Sequence, residues 1–564
     1  MAHAAAAPGS PPVAAGRDPK WWTLTAVCTG VFMLLLDITI VNVALPDIQT
    51  ELDASLSDLQ WVIDAYALSL AALLLTAGSL ADLYGRRRVF IIGTVVFTLG
   101  SIACGSAQDI FFLTISRAFQ GIGGAAMFAT ALALLASAFS GKDRGTAFGV
   151  FGATTGVAVA IGPVLGGVLT SGLSWRWIFF VNIPICVVAI AVSFLKVQES
   201  RDPRAGRPDW FGFVSFSLAL GALVYGLIEA GQRSWSDQVV VTSLVASAVL
   251  MVVFLVSQLV QDHPMFDLGL LRKPTFTGGL IAAFGVSASV FSLLTFLVIY
   301  VQNVLDYSAV ETGVRFLYLS GASFFAAAIA GRLTEKVPVK WLIAPGFLVL
   351  GVGLLLLTGI QVDSSWTHLI PGLIVAGVGI GLINPPLAST AVGVVPVERA
   401  GMASGVNSTF RQVGIATGIA ALGSIFSHQV ADAVRPHLAG KVPSAALEPL
   451  TGALSGGQVH AAAEGAQQAA SASGGQSAGQ QAFDLVNNAG TSAVVDSLNH
   501  ITLIAAVIAF TAAVLCLVLI RQKDFVVRSG PPPAVTEGAE EPESEPSGHG
   551  GAHAARVPAG ETSD

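Results

Sequence analysis

The feature that most constrains this chain is a succession of long apolar blocks. Many exceed the roughly 18 residues that mark a membrane-spanning helix. At about 1.5 Å rise per residue, such a block crosses a hydrocarbon core of roughly 30 Å. Blocks lie near 21–45, 59–83, 88–107, 110–138, 144–171, 176–196, 209–230 and 238–260, and again near 275–303, 311–332, 340–361, 366–393, 401–428 and 498–520. They predict fourteen spanning helices, hence an all-α polytopic membrane protein in the lipid bilayer. Charged residues make up 11% of the 564, against about 25% in a soluble protein. No small-residue cleavage site follows the first block, so it is read as a retained helix.

Positive charge sets the orientation. With the N-terminus inside and alternating spans, 21 of the 28 Lys and Arg fall on the cytoplasmic side, including Arg86 to Arg88. Five fall outside: Arg176, Arg233, Arg315, Arg435 and Lys441. Arg117 and Arg411 lie within helices. Both termini are therefore expected in the cytoplasm and the protein in the cytoplasmic membrane. The net charge of -7 comes largely from the tail after Gln522, so it indicates no nucleic-acid partner. Cys28, Cys104, Cys186 and Cys516 lie inside apolar blocks without close spacing, which predicts neither a disulfide framework nor a metal site.

The chain repeats itself. Gly78-Ser-Leu-Ala-Asp82-Leu-Tyr-Gly85-Arg86-Arg87 returns 253 residues later as Gly331-Arg-Leu-Thr-Glu335-Lys-Val-Pro-Val-Lys340. Gly121 and Gly123 return as Gly377 and Gly379, at an offset of 256. Asp143-Arg144 returns as Glu398-Arg399, at 255. Near-equal offsets predict two homologous six-helix bundles in parallel order, with two further helices inserted between them. The expected division is a tail over 1–20, a first bundle over 21–200, linker helices over 201–270 and a second bundle over 271–521. Residues 522–564 are expected to form a disordered acidic, Pro-rich tail. Two halves around a midplane cavity is a secondary-transporter architecture. Residues 430–497, rich in Ala, Gly, Ser and Gln, read as a solvated extracellular loop, with a cap over the exit as the alternative.

Charges inside hydrocarbon point to function, because each costs roughly 2.5–3.5 kcal/mol on insertion scales. Asp37 is expected about 13 Å inward of an outer helix end marked by Pro46 and Asp47. Thr39 and Asn42 share the opposite face. Asp64 is placed about one turn inside the second helix, near the surface, and Arg117 lies in the fourth. The three are expected to converge on one aqueous pocket. There, burial and a neighbouring Arg push a carboxyl's proton affinity in opposite directions. Arg411 and Glu311 are weaker candidates. The ordinary alternative for each is backbone capping or helix tethering. Phe284, Phe291, Phe296, Phe324 and Phe325 are candidates for an apolar cavity wall.

Several stretches resemble the fourteen-helix drug:proton antiporter branch of the major facilitator superfamily, over about residues 20–520. Leu36-Asp-Ile-Thr-Ile-Val-Asn-Val-Ala-Leu-Pro46 is similar to its helix 1 motif, and Gly78 to Arg88 resembles the superfamily loop 2–3 motif. Arg117-Ala-Phe-Gln-Gly-Ile-Gly-Gly-Ala125 resembles the helix 4 motif, whose Arg is implicated in proton transfer. Gly149, Gly156 and Gly162-Pro163-Val-Leu-Gly166-Gly167 resemble the helix 5 antiporter motif, with Ala158 in place of one Gly. Trp175 to Pro184 and Gly401 to Gly414 are similar to further signatures of the branch. The resemblance implies proton coupling through Asp37, Asp64 and Arg117. It also implies a conformational latch of Gly78, Asp82, Gly85, Arg86, Arg87 and Glu335.

The expected function is a proton-coupled antiporter exporting hydrophobic drugs or antibiotics by alternating access, acting as a monomer. An exporter of a lipid, siderophore or metabolite in the same fold is the second reading, and a non-transporting sensor the third. No ATP-binding glycine-lysine loop, metal cluster or catalytic triad stands out, so neither an enzyme nor a cofactor is expected.

Overall fold

The structure, a computed structural model, describes residues 19–525 except 140, 202–207, 263, 335 and 396–399. Nearly all of both expected tails, Glu335 and the pair Glu398-Arg399 thus lie outside the described residues. The first half runs α1 (Pro19–Glu51), α2 (Leu56–Tyr84), α3 (Arg86–Gly105), α4 (Ile110–Ala138), α5 (Gly141–Gly172), α6 (Trp177–Phe180) and α7 (Asn182–Lys196). Then come α8 (Trp210–Gln232) and α9 (Gln238–Val260). The second half runs α10 (Pro274–Val286), a π-turn at Ser287–Phe291, α11 (Ser292–Asn303), α12 (Ala309–Leu333), α13 (Lys340–Leu356), α14 (Leu369–Gly393), α15 (Ala400–Leu438), α16 (Ser444–Ser455) and α17 (Val459–Leu519).

Among the described residues, 12 helices are long and apolar enough to cross a membrane. Two shorter apolar helices, Ile161–Gly172 and Lys340–Leu356, fall where the fifth and eleventh blocks lie. Helices suit these blocks because lipid offers no hydrogen-bond partner, so each segment must satisfy its own backbone. α2 and α12 both start with a capping box, Ser55 with Asp58 and Ser308 with Glu311.

The repeat is visible in three dimensions. In the first half, a Cβ on Gly123 of α4 would overlap the backbone of Phe97 and Gly93 in α3. In the second, a Cβ on Gly379 of α14 would meet Leu350 and Gly346 in α13. Gly121 abuts Tyr66 and Ser69, and Gly377 abuts Leu319 and Ala322. The partners are offset by the same 253 residues as the loop motif. Small residues let helix backbones touch, which is how helices associate where lipid removes the hydrophobic drive.

α8 and α9 pack on each other as a hairpin. Asp209 caps α8 by accepting from Gly212 N at 2.6 Å, and binds Gln258 Nε2 at 2.7 Å and Met265 N at 3.2 Å beyond α9. Burial raises this carboxyl, but the hydrogen bonds from Gln258, Gly212, Met265 and Gln261 outweigh it, so its affinity for a proton is below normal. Its contribution to stability is therefore present above the unfolded value of about 3.9 and fades as pH falls through the depressed native one. Asp209→Asn is expected to lower the thermal midpoint at neutral pH. The difference from the parent should shrink below about pH 4.

Two expectations are corrected here. Pro46 does not end the first helix: α1 carries it internally and continues to Glu51, so Asp37 lies about 21 Å from that end. Proline costs one backbone bond, and the flanking apolar packing carries the helix through. Residues 430–497 are also not a solvated loop. They are mostly helix, with a break at Gly475 (φ 81°) inside α17. Leu454, Val459, Ala463 and Val486 are buried there. Gln49 of α1 donates to Gly456 O at 3.2 Å, so this helical cap also touches the first half.

Candidate functional site

Five helices of the first half, α1, α2, α3, α4 and α7, build a closed polar cage. Asp37 on α1 and Arg117 on α4 form an ion pair at 2.6 Å, with the carboxylate fully buried. Asp37 Oδ1 also accepts from Gln120 Nε2 and Asn182 Nδ2, both at 2.9 Å. Arg117 donates from Nη1 to Gln120 Oε1 at 2.6 Å and from Nε to Val62 O at 3.2 Å. Ser101 of α3 accepts from Gln120 at 2.8 Å and from Asn182 at 3.1 Å. The guanidinium lies 4.2 Å from the centroid of the Tyr66 ring. Burying two charges is tolerable only when the geometry is good and the charged groups are hydrogen-bonded; the pair meets both conditions, while Asn182 Oδ1 and the Tyr66 hydroxyl at its edge have no hydrogen-bond partner.

Asp37 and Arg117 converge as expected, but Asp64 does not join them. It is fully buried rather than near the surface, eight residues inside α2. Neither carboxyl oxygen has a hydrogen-bond partner. Helical spacing explains the separation. Val62 and Tyr66 face Arg117, and Asp64 lies about 200° around the helix from Tyr66. Its neighbours on that side are Gln60, which donates to Ile419 O of α15 at 3.1 Å, and Trp61 and Ala67, which pack with α8 and α15. Nor is the meeting point an aqueous pocket. A cavity of about 10 Å³, with Arg117, Tyr66, Ile38, Ile63, Gln412 and Ile415 among its lining, is the space beside the pair. That holds at most one water.

The helix 5 glycines sit where three helices cross. Gly162 and Gly166 of α5 press on Thr39 and Ile40 of α1, two and three residues from Asp37. Gly167 presses on Ala309 and Val310 of α12, and Gly313 of α12 presses on the Pro163 carbonyl. This stretch therefore touches both the charge-bearing helix and the opposite half. Of Gly156, α5 gives only the backbone position.

Residues 27–419 match the Major Facilitator Superfamily. The chain belongs to this superfamily. It is 38% identical over 422 residues to the multidrug resistance protein Stp of Mycobacterium tuberculosis, covering 75% of this chain and 78% of that one. It is 38% identical over 440 residues to the puromycin resistance protein pur8 of Streptomyces alboniger, covering 77% and 87%. To the tetracenomycin C resistance and export protein of Streptomyces glaucescens it is 32% identical over 422 residues, covering 75% and 78%. Among solved structures, a bacterial homolog of the human lysosomal transporter Spinster, in an inward-facing and unoccupied conformation, aligns with a TM-score of 0.57 at 18% identity. The alignment covers 91% of this chain and 100% of that one, and it speaks for the fold alone.

The superfamily's loop motif stays within one half here. Arg86 pairs with Asp82 at 2.8 Å, four residues back across Gly85. Gly85 has φ 113°, and a Cβ there would lie 2.6 Å from the Glu199 carboxyl. Glu199 caps the start of α3, accepting from the backbone N–H of Arg87 at 2.9 Å and Arg88 at 3.2 Å. Arg87 also donates to Val197 O at 3.1 Å. Gly78 and its repeat mate Gly331 face open space, so neither marks a close approach in this conformation.

Hydrogen bonds between the halves lie mainly toward the opposite ends of the helices. Gln302 Nε2 donates to Val43 O at 2.8 Å, and Thr295 to Asn42 Oδ1 at 3.3 Å. Asn42 is thus a tie between halves. Glu311 is exposed and occupied by its capping box, far from the charge cage in role. Phe296 is buried against Phe426, and Phe325 is 68% exposed on the outside of its helix, so neither lines a cavity. Sequence reasoning missed Gln120, Asn182, Ser101 and Glu199. The first two stand inside the quoted stretches Arg117 to Ala125 and Trp175 to Pro184; a polar residue in an apolar helix was the signal available.

Proposed function

We propose that this protein exports hydrophobic drug-like or antibiotic molecules across the cell membrane in exchange for protons, by alternating access between its two halves. The observation that carries the reading is the buried Asp37–Arg117 pair, set in a cage whose helix α1 also carries the inter-half contacts of Asn42, Val43 and Gln49. Protonating Asp37 removes one charge of the pair and leaves Arg117 held by Gln120 and Val62 O. That loosens α1 from α4 and changes how strongly α1 holds the second half. The shared direction of the relatives' names, resistance and export, supports movement out of the cell.

Asp64 takes a second part. An ionised carboxylate without a partner is costly in hydrocarbon, so the neutral acid is the form this seam accommodates. The two acids differ in this conformation, Asp37 being paired and Asp64 unpaired. Asp82, Arg86 and Arg87, with Gly78 half-buried and facing open space beside them, form the latch surface left disengaged while the far side is closed. The protein works as a monomer with both termini in the cytoplasm.

The test is transport into inside-out vesicles under an imposed pH gradient. Accumulation of a hydrophobic dye that collapses when the gradient is dissipated is the expected result. Accumulation indifferent to the gradient would remove proton coupling. Absence of accumulation across a broad drug panel would favour a lipid, siderophore or metabolite as cargo.

A further inference from the structure

Among the described residues, the second half carries one charged side chain near mid-membrane, Arg411 of α15. Its Nη1 donates to Asn384 Oδ1 of α14 at 3.0 Å, and it forms no ion pair with a described residue. Among the described residues of α10 to α15, no carboxylate is placed to supply one. α10, α11, α13 and α14 contain no acid, and the acid of α12, Glu311, sits in its first turn. On α15 the next acid is Asp432, about 31 Å further along the helix. Asp37 is already saturated by Arg117, Gln120 and Asn182, and neither carboxyl oxygen of Asp64 has a hydrogen-bond partner.

The side chain lies toward Asn384 of α14, and its neighbour Gln412 lines the small cavity beside Arg117. α15 meets α10 through Asn407, which donates to Gly279 O at 3.3 Å, and α2 through Thr409, which donates to Ala71 O at 3.4 Å. Ile415, one turn on from Arg411 along the same face, lines the small cavity beside Arg117 together with Ile38 and Ile63. The first half's cation is neutralised and buried, whereas Arg411 is only part-buried and retains donors that Asn384 does not use. An uncompensated guanidinium at this depth calls for a counter-charge, and a planar fork of donors matches a carboxylate or phenolate.

We propose that Arg411, oriented by Asn384, is the anion-recognising end of the substrate pocket, and that the preferred cargo is an acidic molecule with an apolar, aromatic body. This rests on the export reading for its purpose and adds the substrate class. Ile38, Ile63 and Ile415 supply the apolar wall, and Arg411 receives the carboxylate or ionised phenol when the halves part.

Binding and transport are measured separately, so that the two readings fail separately. Purified protein is titrated with carboxyfluorescein, an anionic aromatic dye, and with ethidium, a cationic one, for the parent, Arg411→Gln and Arg411→Lys. Loss of a charge-assisted contact is expected to weaken carboxyfluorescein binding by roughly tenfold or more in Arg411→Gln. Arg411→Lys should recover part of it, and ethidium binding should be unchanged or stronger. Equal binding of carboxyfluorescein by the parent and Arg411→Gln overturns the proposal, as does parental binding of ethidium alone. Equal loss of both dyes in Arg411→Gln, without recovery in Arg411→Lys, also overturns it by assigning Arg411 a structural role. Vesicle uptake of carboxyfluorescein then reports on export: selective binding without uptake upholds the anion site and sinks the export reading.

Discussion

Asp37→Asn combined with Arg117→Gln is expected to give a protein more stable than either single variant, yet unable to couple transport to protons. Each single change leaves a buried charge without its partner, which typically costs about 3–5 kcal/mol. The double change removes both charges and keeps side chains able to exchange hydrogen bonds with Gln120, Asn182 and Ser101. Thermal unfolding in detergent across the four proteins reads the coupling directly. The functional readout is larger. One proton moving down 100 mV supplies about 2.3 kcal/mol, enough for a roughly fifty-fold accumulation of cargo. In both Asp37→Asn and the double variant, accumulation in inside-out vesicles should fall to the level of passive equilibration. A double variant that still concentrates dye under a pH gradient would remove Asp37 from the coupling path.

How much of this was legible in the sequence depends on the length scale of the signal. Spanning helices were legible because apolar runs are long and each acts alone. The halves were legible because Gly121, Gly123, Gly377 and Gly379 recur at fixed offsets, and those same glycines make close helix contacts. Asp37 and Arg117 were legible because charge in hydrocarbon demands explanation. Their partners were not, since a Gln or Asn in an apolar helix suits packing, capping or lipid-facing positions equally well. Asp64 was misplaced for a geometric reason. Its depth followed from where α2 starts, at Leu56, and its direction from a helical phase that the apolar pattern around it does not mark. The segment over 430–497 was misread because Ala, Gly, Ser and Gln disfavour an independent core. Here the core is borrowed: Leu454, Val459 and Val486 bury against the second half.

Asp64→Asn separates a proton carrier from a structural polar residue, and the outcome should differ from that at Asp37. The carboxyl makes no hydrogen bond and no ion pair, so its neutral isostere removes no interaction from this conformation. Stability is therefore expected to stay within about 0.5 kcal/mol of the parent. If the seam between α2, α8 and α15 admits the neutral acid here and the ionised acid in the opposite conformation, Asn mimics the first state and cannot become the second. Downhill exchange of cargo, which needs no net proton transfer, should persist, while accumulation against a gradient is lost. Asp64→Glu should restore part of it, because the titratable group returns at a slightly different reach. The charged and titratable groups facing this seam are few. α15 carries none between Arg411 and His428, and α8 carries Tyr225, with Glu229 already paired to Arg233. α2 itself offers Tyr66 on its far side, and α4 offers Arg117, which is committed to Asp37. With so little else to titrate, a change in the pH dependence of transport in Asp64→Asn is assignable to this residue. Unaltered pH-driven accumulation would leave Asp64 as a buried polar residue with no part in coupling.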